Sequence, residues 1–179
     1  MEARSDLTNP RKRLSAEVAC LPGIAPKRAA EVLLLLDSCP SKLLVFDKLS
    51  SIGWANLLAA GLARLSDYDV DNIAKWILVI ALAFENVNLE ELSVTINEER
   101  AVSGFPEVTD LSAVEAEIHE RRRYYLKVIK SALNNLSAEE LVEAVTIAVE
   151  LATDIGEKHG PILIDDLVDS YEVEAQAFL

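Results

Sequence analysis

The sequence predicts an all-α fold of about eight helices, and three observations carry that reading. Ala, Leu, Val and Glu dominate, while Gly and Pro number only six each, a composition that favours helix over sheet. Long stretches repeat apolar residues at three- and four-residue spacing, the period of one helix face. Helix start signals recur just ahead of those stretches. With 51% apolar residues in 179, the chain can bury a core, and a wholly disordered protein is excluded.

The elements follow in order. Residues 1–13 are polar, contain Asn9-Pro10, and carry Arg11, Lys12 and Arg13; they read as a loose basic arm. A short helix is expected from Ser15 to about Cys20, then a turn over Leu21-Pro22-Gly23-Ile24-Ala25. Pro26 suits the first turn of the next helix, where its missing N–H is no loss, and that helix runs from Lys27 to Leu36. Asp37-Ser38-Cys39-Pro40 ends it. Helices are expected at about 41–49 and 54–65. Asp67, Asp69 and Asp71 place acid at the start of a helix over 70–85, as the macrodipole favours. Its apolar run from Trp76 to Phe84 is too short for a membrane, which takes about 20 residues, and reads as a buried core helix.

Glu90 to Ala101 is ambiguous. Leu92-Ser93-Val94-Thr95-Ile96 alternates like a strand, yet no partner strand is evident, so helix or irregular chain is expected. Ser103-Gly104-Phe105-Pro106 marks a break, with a hinge near 103–109. Ser112 with Glu115, and Ser137 with Glu140, have capping-box spacing. Leu111, Val114, Ile118, Tyr125, Ile129 and Leu133 line one face of a long helix. Leu141, Val145, Ala148, Val149 and Ala152 line the next, which Gly160-Pro161 stops. Ile164, Leu167, Val168, Tyr171, Ala175 and Phe178 line the last. The organisation expected is a basic arm (1–13), an N-terminal helical unit (14–66), a central core helix and connection (67–102) and an acidic helical bundle (110–179), with packing into one domain also open.

Charge narrows function. The formal net charge is −13, which repels nucleic acid and anionic membrane unless basic residues segregate. In part they do: residues 1–30 hold six basic residues against three acidic, a net +3, leaving −16 on the rest. Cys20 and Cys39 flank one predicted helix at roughly 18 Å, too far to bridge, so both read as reduced in a cytoplasmic protein. The N-terminus has no apolar core of a signal peptide.

Residues 21–33, Leu21-Pro22-Gly23-Ile24-Ala25-Pro26-Lys27-Arg28-Ala29-Ala30-Glu31-Val32-Leu33, resemble the helix-hairpin-helix motif of DNA repair and recombination proteins. Leu49-Ser50-Ser51-Ile52-Gly53, beginning 28 residues after Leu21, looks like a degenerate second copy. The resemblance covers residues 14–62 and implies phosphate contact through the hairpin: Gly23 lets backbone approach the anion, and the amides after Ala25 face it. Lys27, Arg28 and the Arg11-Lys12-Arg13 arm would add charge. Two departures stand out. Ala25 replaces the family's second glycine, and Trp54-Ala55 replaces the usual polar or basic pair. Some DNA glycosylases of this type carry a catalytic Lys after the hairpin and an Asp about twenty residues on, as Lys27 and Asp47 stand here. Only about twenty residues precede this hairpin, too few for the helical domain that builds a base pocket.

The C-terminal half points elsewhere. Arg123, Lys127 and Lys130 form one basic stripe beside Arg121 and Arg122, with Glu117 and Glu120 within a helical turn for pairing. Residues 137–179 hold eleven acids and one Lys, a partner for that stripe within the chain. His119 and His159 are the only histidines, Glu115 and His119 share a face, and Asp165, Asp166 and Asp169 lack a calcium-loop pattern. No metal, cofactor or catalytic set is expected. The favoured expectation is a non-enzymatic adaptor that binds an unknown protein, or a second copy, through Arg123, Lys127, Lys130, Leu167, Val168, Tyr171 and Phe178. The alternative is a DNA-associated protein using Arg11, Lys12, Arg13, Gly23, Ala25, Lys27 and Arg28.

Overall fold

The computed structural model describes residues 9–45, 49–66, 68–154 and 161–177. Among these the chain is all-α: eight α-helices and one 3₁₀ segment, with no strand. The helices are α1 (Pro10–Ala19), α2 (Pro26–Ser38), η1 (Pro40–Val45), α3 (Ser51–Leu62), α4 (Val70–Glu85), α5 (Leu89–Ser103), α6 (Leu111–Leu133), α7 (Ala138–Asp154) and α8 (Ile162–Ala177).

Caps explain most boundaries. Asn9 accepts from the amides of Arg11 and Lys12, and Pro10 takes the first helical position, so α1 starts five residues before the expected Ser15. Arg11, Lys12 and Arg13 therefore stand on a helix, not a loose arm. Ser50 caps α3 by accepting from Gly53. Asp69 caps α4 at Asn72, and that helix spans 70–85 as expected. Asn88 caps α5 and Gly104, at φ 71°, ends it in the left-handed conformation. The ambiguous segment is thus helical. Leu92, Ile96 and Arg100 recur every four residues on its buried side, a helical period that the local alternation hides. Asp110, not Ser112, caps α6; the Ser112 hydroxyl donates to it. The second capping box does form, with the Ser137 amide donating to Glu140 and the Glu140 amide to Ser137.

α4 is the hub. It packs against α3, α6, α7 and α8, and Ile73, Trp76, Ile77, Ile80 and Ala81 are fully buried. One buried cluster extends from Leu14 and Val18 in α1 to Leu163, Ile164 and Leu167 in α8, so the hydrophobic core does not divide at 103–109. The connection there is fastened: Asn97 exchanges two hydrogen bonds with Val108, and Arg100 donates to the Pro106 carbonyl.

Candidate functional site: the hairpin turn and the faces around it

The turn between α1 and α2 has the backbone that its sequence demands. Gly23 sits at φ 77°, where a side chain is strained. A Cβ there would also meet the Thr95 methyl of α5 at 3.1 Å. The Ile24 amide closes the turn on the Leu21 carbonyl at 3.3 Å. The two turns singled out in the sequence are joined, because the Ser50 hydroxyl donates to the Pro22 carbonyl at 2.8 Å.

The Gly23 amide is already occupied. It donates to Oε1 of Glu99 at 2.7 Å, so an acidic side chain of α5 lies against the glycine that the resemblance brings close to a phosphate. Ala25, at the start of α2, makes no side-chain cap and is exposed, as is Lys27. Arg28 pairs with Glu31 at 3.2 Å. Arg11 and Lys12 are exposed on α1, and the Arg13 guanidinium lies 3.4 Å from the centre of the Phe105 ring. Of these basic residues, Arg28 is thus paired on its own helix and Arg13 stacks on Phe105. Asp47, Phe178, His159 and residues 1–8 lie outside the described residues.

Two buried polar arrangements support the turn, and neither is visible in local sequence. Asn56 of α3 donates to the carbonyls of Val18 and Cys20, both at 2.8 Å. Those carbonyls are left over at the end of α1. Asn56 in turn accepts from the Tyr125 hydroxyl at 2.7 Å. Burial pushes that hydroxyl's pKa well above the ordinary 10.0, against the opposing charge of Arg121. Nearby, Arg100 makes a two-oxygen contact with Glu17, closest at 2.6 Å. Only the apolar spacing Leu92, Ile96, Arg100 hints that this arginine faces inward.

The C-terminal candidates separate. Leu167 is fully buried and holds α8 to the core, which removes it from any outward face. Val168 and Tyr171 are half-buried, and the Lys130 ammonium lies 5.1 Å from the Tyr171 ring. Arg123 pairs with Glu120 at 2.7 Å, while Lys127 is exposed. The link from α6 to the acidic helix comes from Arg122, which grips Asp166 with two nitrogens.

A different surface is apolar. On α2 only Val32 and Leu36 are buried, whereas Leu33 is 49% and Leu34 71% exposed, and Val45 at the end of η1 is 85% exposed. Among the described residues no group of three His, Cys, Asp or Glu side chains converges as a metal site, and no helix is long and apolar enough to cross a membrane. Protein-family models, curated proteins and solved structures provide no match to the chain.

Proposed function

We propose that this chain is a non-enzymatic α-helical binding module that acts through protein–protein contact, with the outer face of α2 as its contact surface. The observation that carries this reading is the pair Leu33 and Leu34, adjacent in sequence and both exposed. Two leucines on solvent gain little for folding, and they are the material from which an interface core is made. The alternative, DNA contact through the hairpin, draws support from the positive φ of Gly23 and from Lys27 beside it. Glu99 weighs against it, since a phosphate approaching the turn would meet a carboxylate already bonded to the Gly23 amide.

Site-directed photo-crosslinking tests the proposal. A benzophenone side chain is placed at position 34, or at position 142 on α7 where Val142 is also exposed. Irradiation of the purified protein, and of the protein in cell extract, should give a defined protein adduct from position 34. Leu33→Ser should abolish that adduct, and position 142 should give none. Adducts that form equally from both positions, or that persist in Leu33→Ser, would overturn the assignment of α2.

A further inference from the structure

A cavity of about 500 Å³ lies between the start of α1, the 105–110 connection and the first half of α6. That is within the size range of small-molecule sites. Leu14, Val108, Ala113 and Ala116 give it an apolar lining, and Glu117 stands in its wall.

Glu117 is unusual among the acids of this chain. It is only 8% exposed, yet among the described residues no donor or cation bonds to it, in contrast to Glu17 and Asp166. Its carboxylate oxygens are not sealed from solvent, so at the wall of the cavity the carboxylate stays open to a counter-cation. The cationic side chains at the cavity do not supply one. Arg100 is engaged by Glu17 and the Pro106 carbonyl, and Arg11 is exposed at the rim with Glu107 and Asp110. With Glu17 included, these groups leave the cavity negative, inside a chain that is itself at −13. The field therefore favours entry of a cation.

We infer that this cavity binds a primary ammonium group on a short alkyl chain. Glu117 serves as its counter-ion, and Leu14, Ala113 and Ala116 hold its methylenes. An ammonium is a compact charge with three donors on a flexible stem, which one carboxylate above an apolar lining can take. The same group is presented by a free amine and by a lysine side chain of another protein.

The test is an amide-resolved NMR titration of the full chain with butylammonium, Nα-acetyl-lysine methylamide, butanol and butyrate. Saturable shifts around residues 107–117 are expected from one or both amines and from neither control. Glu117→Gln should weaken that binding at least about tenfold, whereas Glu107→Gln at the rim should change it less than about threefold. Ala113→Leu, which fills the lining, should also block it, and this keeps the test open if Glu117→Gln folds poorly. Binding of the lysine derivative alone assigns the source to a protein side chain, and binding of butylammonium alone assigns it to a free amine. No saturable shift with either amine, equal binding of butanol, or unchanged binding in Glu117→Gln would overturn the inference.

Discussion

The backbone amide of Gly23 donates to the carboxylate of Glu99 across 76 residues of chain. A glycine turn ahead of a helix offers its N–H groups to an anion, and in this fold the anion is the chain's own. The Thr95 methyl, from the same helix as Glu99, closes over the glycine. α5 thus closes over the glycine of the hairpin turn.

Gly23→Ala should lower stability by about 1–2 kcal/mol, the usual cost of a side chain in the left-handed region. Crowding against Thr95 adds to this, while Gly104→Ala, with open space around it, should lose only the backbone term. Urea unfolding of the two variants side by side measures the difference. Equal losses would mean that α5 does not press on the turn.

Asn56→Ala leaves two carbonyls and the Tyr125 hydroxyl without their partner in a buried setting. A loss of about 2–4 kcal/mol is expected. The double variant with Tyr125→Phe should lose less than the sum of the singles, by about 1 kcal/mol. Strict additivity would place the tyrosine outside the network.

The same tyrosine predicts a pH dependence. Burial raises its pKa in the folded state above the ordinary 10.0, so the folded chain holds the proton after the unfolded chain has lost it. Stability from this group is therefore complete below pH 10 and declines above it, by up to about 1.4 kcal/mol per pH unit. Tyr125→Phe lacks the titrating group. Its deficit relative to the parent chain should narrow between pH 10 and 11, and a gap that stays constant would contradict the burial argument.

Removing Glu17 isolates a charge, since the Arg100 side chain is only 7% exposed. Glu17→Ala should cost about 3–5 kcal/mol in chemical denaturation. Glu17→Ala combined with Arg100→Met should recover a large part of that loss, because the uncompensated cation is gone. A double variant weaker than Glu17→Ala would show that the Arg100 bond to Pro106 matters more than its charge.

How much of this was legible follows from the range of each signal. α4 is readable because its apolar run is long and its cap, Asp69, is local. α5 is not, because Leu92-Ser93-Val94-Thr95-Ile96 satisfies two periods at once, and only tertiary burial of Ile96 and Arg100 selects the helical one. The start of α1 is encoded by Asn9-Pro10, a pair that serves turns and helix caps alike. At α6, Asp110 and Ser112 are both capable caps two residues apart, and the aspartate takes the position.

Site residues were harder still. An apolar stripe tells which residues share a face. It does not tell whether that face meets the chain's own core or another molecule, and Leu167 belongs to the core. The four leucines Leu33–Leu36 pose the converse problem, since two of them turn outward. Glu99, Asn56 and Arg100 find partners 36 to 83 residues away, beyond any spacing rule.

The most direct measurement is fluorescence anisotropy with labelled single- and double-stranded DNA at about 50 and 200 mM salt, comparing the parent chain with Lys27→Glu/Arg28→Glu. A protein-binding module whose hairpin amide is held by Glu99 should show no binding at the lower salt, where charge attraction is strongest, and the variant should behave identically. Binding that weakens with salt and disappears in the variant would contradict the account and make the hairpin a nucleic-acid contact.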